Sequence, residues 1–355
     1  MPAISIDTFF ACSLMVLLVL SAMTVTAKLL QPLITSPLET EAVERYGEIA
    51  KYMMLNVGKP FNWGQNSQTF PEEFGLAEAN AQNPYVLDVD KVSRLNSESL
   101  YALSYAQIFT ILKVSDVSFR LEIKPLFDVG VNLTATFENV DETVYEFEVV
   151  TEKSGAEVPT DIKFYVVAED FLQVSNIYNS DGRRRFNVTI PNSVDGPALL
   201  VVFAKSAFNA GIVSFAAYAF AHNSSEPASR GNFLRLSPLN YTLTALPITS
   251  DKALSTVYAL TFNYAAKLTQ IASDNQTATF SIPSFADASP TVLVVTGWNS
   301  TRFFVEWTAY PQIPIEIGVD FTKASSLSDV FAYDYLVTID SAIYKCTVWL
   351  GGPKT

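Results

Sequence analysis

"IPNSVDGPALLVV", residues 190–202, and "IPSFADASPTVLVV", residues 282–295, decide how this chain folds. Each opens with Ile-Pro, passes through a polar loop, and reaches a proline four residues before a Val-Val pair. A short apolar run rich in β-branched residues, entered through turn-forming residues, reads as a buried strand. Ile190 and Ile282 lie 92 residues apart, and Val201 and Val294 lie 93 apart. Self-similarity at a fixed offset of that size predicts a duplicated β unit.

The surrounding sequence has the same character. "VYEFEVV" (144–150), "IKFYVVA" (162–168), "RFNVTI" (185–190) and "IVSFAAYAF" (212–220) precede a second set. That set is "STVYALTFNY" (255–264), "TATFSI" (277–282), "TVLVVTGW" (291–298) and "TRFFVEW" (301–307). Strands at this spacing, separated by Gly, Pro, Asn, Asp and Ser, predict antiparallel sandwiches rather than βαβ units. The expected architecture is mainly β with an N-terminal α stem. It has one transmembrane helix (1–35), an amphipathic stem helix and small α region (36–114), and two immunoglobulin-like antiparallel β-sandwich domains (115–228 and 229–355). The end of the chain, "YDYLVTIDSAIYKCTVWLGG" (333–352), reads as a hairpin with Tyr344, Cys346, Val348 and Leu350 on one face. Cys346 is then a small core residue.

At the other end, Thr8–Ala27 contains 20 residues without a charge, bracketed by Asp7 and Lys28. As a helix such a segment spans a hydrocarbon core of about 30 Å. A retained membrane helix is the expectation. A cleaved secretory signal is the alternative suggested by Val25-Thr26-Ala27, although Asp7 stands where the basic region of such a signal should be. A buried helix of a soluble core is the third reading. After Pro32, the serine, proline and glutamate at Ser36, Pro37 and Glu39 predict a new helix start. Leu38, Ala42, Val43, Tyr46, Ile49, Ala50, Met53, Met54 and Val57 fall on one side of its wheel. Glu41, Glu44, Arg45, Glu48 and Lys51 fall on the other. "GKPFNWG" (58–64) then reads as the stop: Gly58 in a left-handed cap, Pro60 blocking continuation, Phe61 and Trp63 pinning the turn. Asp88 to Leu95 predicts a short helix. Ser97 or Ser99 opens the next, carrying Leu100, Leu103, Ala106, Phe109 and Leu112, and "VSFRLEI" (117–123) marks the first strand.

Composition narrows the function. The net charge is −13 with a single histidine, which argues against nucleic-acid binding, since that needs a basic footprint. Cys12 and Cys346 are too few for a zinc site or a disulfide framework. Nucleophilic catalysis needs a base, and His222, expected on a solvated loop, is the only histidine. No nucleophile elbow, zinc-protease motif or phosphate loop is present. The acidic pairs Asp88/Asp90 and Glu169/Asp170 are candidates for calcium or for acid–base work, with solvated carboxylates the plainer reading. Arg183 to Arg185 reads as a solvated basic hairpin tip. Six sequons, at Asn132, Asn187, Asn223, Asn240, Asn275 and Asn299, all follow Gly130 and suggest an exoplasmic, glycosylated body. Catalytic residues, cofactors and metals are not expected.

The first 125 residues resemble archaeal pilin-like proteins, membrane-anchored surface proteins related to type IV pilins. The matching parts, in order, are "AISIDTFFACSLMVLLVL", "LLQPLI", "GKPFNWG" with "FGLA", "LDVDKVSRL" and "FRLEI". The basic residue and glycine that usually precede the leader cleavage site are absent. The resemblance implies removal of a short leader. Cleavage before Ala3 would make Asp7 the fifth residue, an assembly carboxylate facing a neighbour's amino terminus. It also implies membrane lipid as a partner, self-association through the N-terminal helix, contacts with other surface proteins or glycans, and a body outside the cell. The expected function is therefore a non-enzymatic, pilin-like subunit of a filament or surface apparatus. A singly anchored adhesin or ligand-binding ectodomain is the alternative, and an ectoenzyme the weakest third.

Overall fold

The computed structural model describes residues 15–16, 19–21, 23, 42–114, 116–274, 276–300, 302–321 and 327–353. Asp7, Asn275, the helix start at Ser36 and most of Thr8–Ala27 lie outside them. The described part of that apolar segment is helical, and Met15, Val16, Val19, Leu20 and Met23 are 53–70% exposed. Among the described residues no helix is long and apolar enough to cross a membrane.

Helix α1 occupies residues 42–55. Tyr46, Ala50, Met53 and Met54 are buried, and Glu44, Arg45, Glu48 and Lys51 face out, as the wheel predicts; Val43 is exposed instead. Gly58 then takes the left-handed conformation at φ +76°, and a Cβ there would stand 2.7 Å from the Glu73 carbonyl oxygen. Strand β1 (Val86–Leu87) leads into helix α2 (Val89–Ser93), N-capped by Asp88, and helix α3 spans Tyr105–Leu112. The expected start of α3 at Ser97 or Ser99 is corrected to Ser104. Only Ser104 has a glutamine three residues on, and the two close a capping box.

Strands follow for the rest of the chain. After β2 (Ser118–Lys124) come β3 (Asp128–Glu138), β4 (Glu142–Lys153), β5 (Ala156–Glu157), β6 (Thr160–Ala168), β7 (Phe171–Ser180), β8 (Arg183–Pro191), β9 (Ala198–Ser206) and β10 (Val213–Phe220). Then come β11 (Arg235–Leu239), β12 (Thr242–Leu246), β13 (Lys252–Leu260), β14 (Ala265–Lys267), β15 (Thr269–Ser273), β16 (Ala278–Ser281), β17 (Thr291–Asn299) and β18 (Arg302–Tyr310). The chain closes with β19 (Ile315–Gly318), β20 (Leu327–Ile339) and β21 (Ala342–Pro353).

Two sandwiches share one topology. In the first, β3-β4-β8 faces β10-β9-β6-β7; in the second, β11-β12-β16, with β15 at its edge, faces β18-β17-β13-β14. Leaving out the short β5 and β15, both read 1-2-5 over 7-6-3-4. The two quoted repeats are the crossings from strand 5 to strand 6 of each copy, β8 to β9 and β16 to β17. Leu200 and Val202 of β9 enter the first core with Phe147, Phe164 and Val188. Leu293 and Val295 of β17 enter the second with Leu243 and Phe280. The opposite faces of these strands meet: Leu199, Val201 and Phe203 pack with Val292, Val294 and Val305. Four sheets are thus stacked, with the two 7-6-3-4 sheets in the middle. That burial on both faces explains why β9 and β17 are continuous apolar runs rather than alternating ones.

The domain boundaries differ from expectation. Strand β2 and the C-terminal hairpin belong to neither sandwich. They form one sheet, β1-β20-β21-β2-β19, in which Ser118 pairs with Gly351 and Ile123 with Cys346. Its inner face, including Phe119, Tyr344 and Val348, shares a core with Met53, Trp63, Phe74 and Ile108 of the α region. This base is built from both ends of the described chain, and the sandwiches are inserted into it. Cys346 is buried there beside Met54, with Sγ 3.5 Å from Sδ, and burial pushes its thiol up to about 12.

Because β9 is walled on both sides, Leu199→Ala and Leu200→Ala should each cost about 2–5 kcal/mol in denaturant unfolding. A Leu199→Ala cost within experimental error of zero would show that the inner sheets do not pack on each other.

Candidate functional site

The residues that hold the molecule together converge on helix α2. Its five residues point in two directions. On one side, the Lys91 ammonium is fully buried and donates to the carbonyl oxygens of Val57 (3.0 Å) and Ala77 (2.8 Å). Arg94, in the C-cap, donates from Nε to Tyr101 O (3.0 Å). Its Nη1 reaches the carbonyls of Asn66 (3.0 Å), Thr69 (2.8 Å) and Trp63. Its guanidinium also stands 5.6 Å from the Trp63 ring, which is itself buried and donates from Nε1 to Gly75 O at 3.1 Å. The loop after α1 carries carbonyls that no strand or helix satisfies, and two cations supply the donors. Trp63 pins this turn as expected; Phe61 does not, being 62% exposed.

On its other side α2 holds the second sandwich. Asp90 is 2% exposed and accepts from the Tyr310 hydroxyl (2.7 Å) and the Asn240 amide (2.7 Å). Tyr310 ends β18, and Asn240 forms the β11–β12 turn. Burial raises the Asp90 carboxyl above its ordinary range, against the two hydrogen bonds that lower it. Burial also raises Asp340, with Glu78 and Asp90 adding to the effect. A third such carboxylate, Glu306 of β18, is 1% exposed and raised by burial. It accepts from the amides of Gly231 (2.6 Å) and Phe233 (2.7 Å), fixing the linker between the two sandwiches.

Other residues named from sequence fall differently. His222 is not solvated: it is 2% exposed, with Nδ1 2.8 Å from the Tyr145 hydroxyl and Nε2 3.2 Å from Pro191 O. Burial lowers its pKa, and no serine or cysteine hydrogen-bonds to it among the described contacts, so it joins strands of the first sandwich. Of the pair Asp88/Asp90, neither is a free carboxylate: Asp88 caps α2 and Asp90 is buried. Glu169 accepts from the Asp195 amide at 3.2 Å. No group of three or more His, Cys, Asp or Glu side chains suited to a metal exists among the described residues. Arg183 and Arg185 begin β8 rather than sit on a tip, and pair with Glu148 and Glu157 on an exposed sheet face.

Among the sequons, Asn132, Asn187 and Asn240 are exposed, with Asn132 and Asn187 on outer strands β3 and β8. Asn223 is also exposed, but its Nδ2, the atom a glycan would occupy, donates to Asn192 O (2.7 Å) and Val194 O (2.9 Å). Asn299 is half-buried.

Two clefts flank the linker. One, of about 320 Å³, lies between the sandwiches and is lined by Asn223, Glu226, Trp298 and Arg302. The other, of about 400 Å³, lies where base, linker and second sandwich meet. Both are of ligand-pocket size. Neither brings a nucleophile to a base.

No protein-family profile matches the chain. No curated protein matches it. Among solved structures, the tandem C2 domains of Extended-Synaptotagmin 2 align over 68% of this chain and 93% of that one, at 10% identity. The TM-score is 0.13, too low to carry an argument.

Removing Arg94 (Arg94→Ala) strands several buried carbonyls and should cost on the order of 3 kcal/mol in global stability. The raised carboxyls have a definite sign. Their folded-state pKa lies above the unfolded value, so their contribution is fully present below the unfolded pKa and is lost as pH rises through the folded one. Asp90→Asn keeps an acceptor for Tyr310 and Asn240 and removes the charge. It should raise the thermal midpoint at pH 7 more than at pH 4; equal shifts at both pH values would contradict the assignment.

Proposed function

We propose that this chain is a non-enzymatic cell-surface structural protein. In this reading it is a pilin-like subunit of a type IV-pilus-related filament or surface apparatus, anchored by Thr8–Ala27, with its β stack outside. The observation that carries the reading is the contrast in burial. Met15, Val16, Val19, Leu20 and Met23 are exposed, whereas the apolar side chains of the base and sandwiches fill four cores. Large apolar side chains exposed along one segment fit a membrane or a bundle of sister helices. The base supports a stem role: α1 packs into it through Tyr46, Ala50, Met53 and Met54, and Lys91 and Arg94 hold the loop that follows, so a helix entering at residue 42 would meet its cargo at a fixed angle. The shared 1-2-5 over 7-6-3-4 order favours two copies of an immunoglobulin-like module with the fourth strand moved beside the third.

The second reading, a singly anchored adhesin, is favoured by the two clefts at the linker. One experiment separates them. The protein is isolated from its native membrane and from sheared surface material, and its N-terminus is sequenced. A filament subunit should begin at Ala3 or a neighbour and enter filaments visible by electron microscopy. Asp7→Asn should cut that incorporation at least several-fold. An intact Met1 on protein found only in the membrane would favour the lone anchor.

A further inference from the structure

A groove of about 450 Å³ lies between the loop after α1 and the β11–β12 turn. One wall is Asn62, Gln65, Asn66 and Ser67, all exposed. The other is Leu239, Asn240 and Thr242 of the second sandwich. Tyr101 of the base completes the lining, and its hydroxyl donates to Thr244 Oγ1 of β12 at 3.1 Å. Among the described residues, none with a charged side chain lines this groove. Asn240, Tyr241 and Thr242 are one of the six sequons, so the groove contains an attachment point for a glycan. The backbone at that point is fixed. The Asn240 amide donates to buried Asp90 at 2.7 Å, and the residue sits at φ +48°, a conformation that asparagine tolerates. Asn240 is exposed, and its Nδ2 makes none of the described hydrogen bonds. Asn223, in the cleft between the sandwiches, differs: its Nδ2 already serves two carbonyls, and a glycan there would break both bonds.

We propose, on the reading that the body lies outside the membrane, that Asn240 carries an N-linked glycan whose first sugars lie in this groove and bridge the loop after α1 to the second sandwich. The lining suits neutral sugars. Side-chain amides and hydroxyls both donate and accept, so they meet ring hydroxyls in either sense. The side chains of Asn62, Gln65 and Ser67 make none of the described hydrogen bonds, so contacts with a glycan displace none of these. The covalent link matters as much as the lining. A tethered sugar avoids the translational cost of binding, so contacts too weak to capture a free one are enough to seat it. The volume falls in the range of small-molecule sites, which is room for the first rings of a glycan and not for its whole length. The bridge would complement the protein's own fastening. Arg94 grips this loop from inside, through the carbonyls of Trp63 and Asn66. The glycan would grip the exposed side chains of the same turn from outside.

The test uses full-length protein from its native membrane, in detergent, beside the same chain made in a host without N-glycosylation. Glycopeptide mass mapping should find Asn240 modified. The amides of Gln65, Gln68 and Thr69, all hydrogen-bonded within the loop, should exchange about tenfold more slowly in the glycosylated protein, the equivalent of one net hydrogen bond. Asn240→Gly keeps the positive φ without strain and should exchange at the faster rate from either host. Asn62→Ala combined with Gln65→Ala should do the same at Gln68 and Thr69 while Asn240 stays modified. Asn132→Gln, on an outer strand, should leave the loop unchanged. Three results would overturn the proposal. An unmodified Asn240 beside a modified Asn132 or Asn187 would do so and leave the exoplasmic reading standing. Six bare sequons would remove the glycosylated body of that reading as well. Equal exchange with and without the Asn240 glycan would show that its sugars hang free of the groove.

Discussion

The structure depends on one constraint: the peptide groups of the loop after α1 must find partners, and helix α2 provides them. Residues 56–77 form little regular structure, yet they pack against the base. Lys91 and Arg94 answer the carbonyls of Val57, Trp63, Asn66, Thr69 and Ala77 from a single turn of helix. Burying two cations is expensive, and burial lowers the pKa of both. The arrangement is tolerable because every charged head is surrounded by acceptors. The same helix turn presents Asp90 to Tyr310 and Asn240, so the loop after α1 and the second sandwich are tied to one short element.

From that point the rest follows by layers. The base packs its α region on a sheet drawn from residues 86–87, 118–124 and the C-terminal strands. The sandwiches, inserted between β2 and β19, stack through their inner sheets, and Glu306 clamps the linker that joins them. The sites that could recognise something lie at the joints between modules, where loops of different origin meet over a rigid frame.

Much of this is legible in the sequence. The β runs, the duplication, the amphipathic face of α1 and the turn at Gly58 all rest on local patterns, and local patterns survive folding. The domain boundaries do not show, because pairing Ser118 with Gly351 leaves no mark in either neighbourhood. Strand β2 reads as an alternating strand in any sheet. His222 and Asp90 read as solvated for a similar reason: what buries them is Tyr145 and Tyr310, 77 and 220 residues away in sequence. For the start of α3 the decisive signal is local, a serine three residues before a glutamine at Ser104 and Gln107.

The central claim is that α2 joins the loop after α1, the base and the second sandwich into one cooperative unit. Native-state hydrogen exchange of the full-length protein tests it most directly. The amides of Lys59, Leu76, Ala77, Arg94 and Asn240, all hydrogen-bonded, should exchange with one common opening free energy close to that of global unfolding. Exchange of Lys59, Leu76 and Ala77 through a much smaller local opening, with Asn240 still protected, would contradict the account.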